Sequence, residues 1–132
     1  MSEELTLKGI PHQQEIGFLT LYEAYDQLQV ESFYKQPKSP IWIICSESHY
    51  SVCFALDSSL ITSLPPKFDI VYYDELAHQS FAVILSLTKG GWTGPSSLSK
   101  ATNAQLIPPI DAVLRTKWKG CSVDWNGVNP IL

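Results

Sequence analysis

Apolar and polar positions fall into blocks of different period along the chain. Across residues 15–30, Phe18, Leu21, Tyr22, Tyr25 and Leu28 recur at helical spacing while Glu23 and Asp26 lie off that stripe. This pattern predicts an amphipathic helix. Pro11 and the polar run before Glu15 suit its start, and Pro37-Lys38-Ser39-Pro40 interrupts local structure after it. Residues 41–45 (Ile-Trp-Ile-Ile-Cys) are apolar at every position, as in a strand buried on both faces. The polar Ser46-Glu47-Ser48 is short enough for a hairpin loop, and a second strand is predicted over 49–56. A connection over 57–67 carries Pro65-Pro66 near its end. Further strands are predicted at 69–74 and 81–87, where Ile, Val and Tyr are frequent. Four strands in succession favour an antiparallel sheet.

The pattern changes again after the fourth strand. Residues 88–107 are dominated at first by Gly, Ser, Thr and Pro, which predicts a long exposed loop. Pro108-Pro109 can open a second helix, since proline is tolerated in the first turn. Ile110, Val113, Leu114 and Trp118 supply its buried stripe, and Gly120 can end it. The tail from Cys121 carries Trp125, Pro130 and two terminal aliphatics, so it is expected to dock on the domain. The reading is an α+β fold, a mostly antiparallel sheet with flanking helices. At 132 residues the chain is one domain, large enough to bury roughly two-thirds of its unfolded surface.

Composition narrows the classes of function. Hydrophobic residues make up 45% and charged residues 17%, with a net charge of −4. That balance is globular and gives no bulk attraction to nucleic acid or anionic membrane. No apolar run approaches the length of a bilayer span, and the first residues carry no hydrophobic signal core. Cys45, Cys53 and Cys121 are odd in number and irregular in spacing, which argues against a disulfide framework. Reduced thiols in a cytoplasmic or nuclear setting are expected.

The chemistry centres on His49, at the mouth of the second strand. Side chains alternate faces along a strand, so His49, Ser51 and Cys53 share one face and Tyr50, Val52, Phe54 and Leu56 share the other. The second set reads as core, which points His49 away from it. A three-residue loop places Cys45 directly across from His49, at a Cβ separation of roughly 5 Å. Cys45 is nonetheless a poor nucleophile, because no helix start lies beside it to stabilise a thiolate and no donors converge on a developing oxyanion. Packing is the default role for all three thiols. The four-residue spacing of Cys45, His49 and Cys53 would line one face of a helix, but their neighbours favour strand and no CxxC pair is present, so no metal site is expected. No cofactor is expected. Spacing alone leaves two readings of His49 open, a catalytic base or a hydrogen-bonded histidine in a polar turn.

Several separated segments carry a family resemblance. They are Gly17-Phe18-Leu19-Thr20-Leu21-Tyr22-Glu23, Pro40-Ile41-Trp42 running into Cys45-Ser46-Glu47-Ser48-His49, and Tyr72-Tyr73-Asp74. The closing stretch is more specific: Pro108-Pro109, Arg115-Thr116-Lys117-Trp118-Lys119-Gly120, Trp125-Asn126-Gly127 and Pro130-Ile131-Leu132. In this order they resemble the C-terminal part of the catalytic domain of the MINDY deubiquitinases, nearest to the branch that ends in this tryptophan-rich tail. The likeness runs from about Gly9 to Leu132, with a gap over 88–105. It implies that residues 1–132 are the histidine-bearing C-terminal portion of a papain-like cysteine-protease domain. The reaction it implies is cleavage of isopeptide bonds in lysine-48-linked polyubiquitin. His49 would be the general base and acid. A carboxylate commonly orients such a histidine, and Asp74 is the candidate, its alternative being a strand-end carboxylate facing water.

The chain also departs from the family pattern. The family's nucleophile sits in a Gly-Pro-Cys-Gly-type segment at a helix start, with a glutamine before it that helps bind the oxyanion. Neither Gln13 nor Gln14 is followed by such a cysteine. The nucleophile is therefore expected outside this chain, the chain alone is expected to be inactive, and apolar surface that the full domain buries is expected to be exposed. The alternative is a ubiquitin-binding or scaffold fragment without the reaction. Trp92, in a Gly-Gly-Trp-Thr-Gly loop, is a candidate ubiquitin contact, or else a tryptophan folded onto its own domain. Arg115, Lys117 and Lys119 read as a solvated helix face.

Overall fold

The structure is a computed structural model that describes residues 12–46, 48–74, 82–100 and 107–128. Expectations for the start of the fourth strand at Phe81, for loop residues 101–106 and for the final Pro130-Ile131-Leu132 lie outside those residues. Six strands form one sheet in chain order: β1 (Gly17–Thr20), β2 (Ile41–Ser46), β3 (His49–Phe54), β4 (Lys67–Tyr73), β5 (Val83–Thr88) and β6 (Ser122–Asp124). Among the described residues three α-helices accompany them: α1 (Leu21–Ala24), α2 (Ser32–Lys35) and α3 (Pro109–Lys117). The fold class is α+β. The sheet is mixed, because β1 runs parallel to β2 while the four ladders from β2 to β6 are antiparallel.

The helix expected over 15–30 is replaced by β1, the single turn of α1, and α2 beyond it. The apparent stripe does not face a core: Tyr22, Tyr25 and Leu28 are exposed, and Asp26 adopts a positive φ of 60° that no continuing helix allows. Gly17 determines how the first strand sits. A Cβ there would lie 2.3 Å from the Tyr34 carbonyl oxygen and 2.4 Å from Cδ1 of Trp42, so only glycine lets the Trp42 indole lie over β1. That indole donates Nε1–H to the Lys35 carbonyl at 2.9 Å. It thereby ties the β1-to-β2 crossover back onto the sheet.

One face of the sheet is closed by α3 and α1. Leu19, Trp42, Ile44, Cys53, Ile70, Tyr72, Leu85 and Leu87 point into this layer and meet Ile110, Val113 and Leu114 of α3. Trp118 lies between Trp42 and Phe68, with ring centroids 5.1 and 5.5 Å away. The second helix matches its expectation in start, stripe and stop, with Gly120 at φ 74° just beyond it. The described part of the tail, up to Val128, is docked, with β6 added to β5 and Trp125 buried.

The face assignment of β3 is reversed from the sequence reading. Ser51 and Cys53 are buried, while Tyr50 is 63% exposed and Leu56 82% exposed. The two alternating sets form as expected, but the set with more aromatic and aliphatic residues lies on the outer face. The outer face of the sheet carries exposed Ile43, Tyr50, Tyr73 and Ile84.

Candidate functional site

The β2–β3 hairpin places His49 opposite Ser46 and Cys45 opposite Tyr50. The register is thus one residue tighter than a three-residue loop gives. Cys45 shares the outer face with Tyr50, and His49 points to the inner face with Ser51 and Cys53. Pairing one residue differently moves a side chain across the sheet, so the expected Cys45–His49 opposition does not form.

β4 supplies the second group. Asp74 follows its last residue, Tyr73, and falls in step with inward-facing Tyr72 and Ile70. His49 Nε2 and Asp74 Oδ2 are 2.5 Å apart, with side chains 32% and 1% exposed respectively. An ionised carboxylate can only accept. Nε2 therefore carries the proton in the neutral ring, an assignment made from the hydrogen-bond partner, and Nδ1 keeps its lone pair. The pair combines a carboxylate shielded from water with an imidazole edge that solvent reaches. Such an arrangement can accept a proton on Nδ1 while Asp74 stabilises the imidazolium that results.

More groups than the sequence reading named surround this pair. The Tyr72 hydroxyl is 3.0 Å from the Ser51 hydroxyl inside the sheet. Burial pushes the Tyr72 phenol far above its ordinary range; the Ser51 contact opposes this, and the neighbouring Asp74 charge adds to it. Trp125 packs edge-on against Tyr72 at 5.8 Å and donates Nε1–H to Asp111 at 2.7 Å. The i, i+2 spacing of Tyr72 and Asp74 on one strand was the signal that could have found Tyr72.

The cysteines do not join the pair. Cys53 is fully buried, and burial alone drives its thiol pKa far upward, which disfavours a thiolate. Burial also raises that of Cys121, against smaller opposing effects of Lys89 and Arg115. None of the three is in a disulfide. Among the described residues, no group of three or more His, Cys, Asp or Glu side chains is placed to hold a metal ion, and no helix is long and apolar enough to cross a membrane.

Trp92 is half-buried and folded onto its own domain. Its Nε1–H donates to the Pro95 carbonyl at 2.9 Å, and the Arg115 guanidinium lies 3.6 Å from the ring centroid. Arg115 also donates to the Cys121 carbonyl at 3.2 Å, and Lys117 lies 5.9 Å from the Trp42 ring. These two cations are partly buried and engaged within the fold, which corrects the expectation of a solvated face; Lys119 alone is exposed. Trp92, Arg115 and Lys119 border a cleft of about 730 Å³, together with Glu23, Leu28 and Lys35. His49 and Asp74 do not line it.

Comparison with known proteins adds to this geometry. The family model described as "Deubiquitinating enzyme MINDY-3/4, conserved domain" matches residues 1–127. A Homo sapiens protein named probable ubiquitin carboxyl-terminal hydrolase MINDY-4 is 43% identical over 128 residues, covering 96% of this chain and 16% of that protein. Its Xenopus tropicalis counterpart shows the same identity and coverage. The Mus musculus ubiquitin carboxyl-terminal hydrolase MINDY-3 is 47% identical over 63 residues, 48% of this chain and 14% of that protein. The chain thus spans about one sixth of the length of the curated relatives it matches most fully. No solved structure matches it.

Proposed function

We propose that this chain, which belongs to the MINDY-3/4 family of deubiquitinating enzymes, supplies the acid–base half of a cysteine-type deubiquitinase site. The observation that carries the reading is the His49–Asp74 pair, in which a carboxylate 1% exposed lies 2.5 Å from the ring nitrogen of a histidine that solvent reaches. A structurally incidental histidine in a polar turn does not need a buried counter-charge, which costs desolvation to place.

In this reading Asp74 holds Nε2–H, and Nδ1 takes the thiol proton of the nucleophile as it attacks the isopeptide carbonyl. His49 then returns a proton to the departing lysine amine, and a water activated by the same nitrogen hydrolyses the acyl-enzyme. The nucleophile is supplied from outside the three cysteines of this chain: Cys45 lies on the opposite face of the sheet, and burial disfavours ionisation of Cys53 and Cys121. A mixed sheet with helices over one face is compatible with the histidine-bearing part of a papain-like domain. Lysine-48-linked polyubiquitin is the substrate that the family resemblance implies. Trp92, on the rim of the cleft, is our candidate for a ubiquitin contact away from the pair. Three thiols outside any disulfide fit a reducing cytoplasmic or nuclear compartment.

Two measurements test this. The chain alone should not be labelled by ubiquitin bearing a C-terminal electrophile; rapid labelling of Cys45 would overturn the placement of the nucleophile. In a form of the protein that cleaves ubiquitin amides, His49→Ala should abolish turnover without lowering the melting temperature by more than a few degrees. Wild-type turnover from that variant would leave the second reading, a ubiquitin-binding or scaffold unit. The burial of every cysteine in the chain is what favours that alternative.

A further inference from the structure

We propose that the cleft bordered by Trp92 binds an acidic peptide segment, with Arg115 pairing to one of its carboxylates and Lys119 adding a second positive charge. The inference goes beyond the reading of His49 and does not rest on it, since His49 and Asp74 do not line this cleft.

The argument begins with the counter-charge that Arg115 lacks. Its guanidinium is always charged and carries five N–H donors in a planar fork. One donor reaches the Cys121 carbonyl at 3.2 Å, and the Trp92 ring centroid lies 3.6 Å from the guanidinium carbon. Among the described residues no carboxylate comes within 4.0 Å of that group. Arg115 is partly buried, and charges taken out of water are ordinarily paired. A ring face and one carbonyl replace only part of the lost hydration. Burial accordingly lowers the guanidinium pKa, with the charges of Asp111 and Cys121 opposing it. The pairing that the fold leaves out is the one a ligand carboxylate supplies.

The rest of the cleft decides which anion fits. Glu23 and Asp26 also line it, but both are engaged: Lys35 Nζ lies 2.5 Å from Glu23, and the Ser97 and Ser99 hydroxyls donate to Asp26 at 2.6 Å each. Lys35, Arg115 and Lys119 against these two acids leave the lining with one net positive charge. That balance suits a carboxylate, which carries one charge and matches the guanidinium fork. A phosphate, at nearly two charges, would meet the acids on the opposite wall. The volume of about 730 Å³ lies within the roughly 300–1,000 Å³ of ligand clefts and exceeds what one carboxyl group fills. Leu28, Leu98 and Ile107 add apolar lining for the residues that flank an acidic side chain. The wall is also fixed in advance. The Trp92 backbone N–H donates to the Gly120 carbonyl at 3.0 Å and its indole to Pro95, so the fork loses little freedom when it pairs.

The test needs no turnover. Protein labelled with nitrogen-15 is titrated at constant ionic strength with three tripeptides blocked at both ends: Ala-Glu-Ala, its glutamine counterpart and its phosphoserine counterpart. The amide signals of Gly94 and Gly120, which line the cleft, report binding. The glutamate peptide should move them saturably, with a Kd on the order of millimolar. The glutamine peptide should bind about tenfold more weakly, the scale of one hydrogen bond between charged groups. Arg115→Lys keeps the charge but loses the fork, and should weaken the glutamate peptide about tenfold. Lys119→Ala, at an exposed position, should weaken it about threefold, and it decides the matter if Arg115→Lys does not fold. Absence of saturable shifts overturns the proposal, as does equal binding of the glutamate and glutamine peptides. Tighter binding of the phosphoserine peptide overturns it too, since the site would then be one for phosphate. None of these results bears on proton transfer by His49, so this inference and the catalytic reading fail separately.

Discussion

Replacing Asp74 by Asn removes the counter-charge of the imidazole with little change in shape. With Nε2 and Oδ2 at 2.5 Å, the centres of the two charges are about 4 Å apart. At the effective dielectric of 20 that suits partly buried pairs, their attraction is about 4 kcal/mol. The histidine is about one-third exposed, and screening brings this to roughly 3 kcal/mol. The attraction exists only when the ring is protonated, after it has taken the thiol proton, so its loss falls on the transition state. At 1.36 kcal/mol per decade, kcat/KM should fall about 100-fold. Because Asp74 is buried and touches no substrate, kcat should carry the loss and KM should stay within a factor of two or so. Hydrolysis of a ubiquitin C-terminal fluorogenic amide, in a form of the protein that turns it over, measures both. Thermal unfolding of the same variant guards against trivial loss of fold. A loss under about threefold, or one confined to KM, would refute the assignment of Asp74.

Other expectations concern the frame that holds the pair. Trp118→Ala empties the space between Trp42 and Phe68 and should cost about 4 kcal/mol, lowering the melting temperature by about 15 °C for a domain of this length; Trp118→Phe should lose less than half as much. Gly17→Ala drives a methyl into the Tyr34 carbonyl and the Trp42 ring, and a urea midpoint should report a loss of about 2 kcal/mol. Burial raises the Asp111 carboxyl pKa, against the opposing Trp125 hydrogen bond and Arg115 charge. The native state thus holds that proton more tightly than the unfolded chain, so the contribution of Asp111 to stability falls as pH rises from the ordinary carboxylate range through the raised value. Asp111→Asn should flatten that part of the pH–stability curve and raise the melting temperature at pH 7; a lower value there would mean that the charged hydrogen bond to Trp125 outweighs burial.

The elements legible in the sequence were those set by local pattern. Four apolar runs became β2 to β5, and the proline-opened stripe from Ile110 to Trp118 became α3 and its cap. The first strand is hidden in the sequence because Phe18, Leu21, Tyr22 and Tyr25 match a helical period over a short stretch. What decides the matter is tertiary: β1 is held by pairing with β2 and by the Trp42 ring over Gly17, contacts that no local window contains. β6 was missed for a similar reason, since three residues gain strand geometry only from β5 beside them. In the site, His49 was visible as a polar residue at a strand mouth. Its partner came from resemblance, because a strand-end aspartate looks the same whether it faces water or a histidine twenty-five positions away. Alternation puts Ser51 on the face of His49 and Tyr72 on that of Asp74, but spacing alone does not bring two separate strands together.

The reversed face of β3 bears on how the site works. Had Tyr50, Val52 and Phe54 faced the core, His49 would stand on the open side of the sheet and Asp74 would be hydrated. A hydrated carboxylate stabilises an imidazolium weakly, because water competes for both charges. With Ser51, Cys53 and Tyr72 facing inward instead, the carboxylate is enclosed by the same layer that α3 closes, while the imidazole edge remains at the margin of that layer. His49 Nε2–H offsets part of the desolvation cost of Asp74, and a partner fixed in this way is the condition for an electrostatic contribution that needs little reorganisation during proton transfer. The helix that covers the sheet and the tryptophan that follows it therefore belong to the site as much as the two residues that would move the proton.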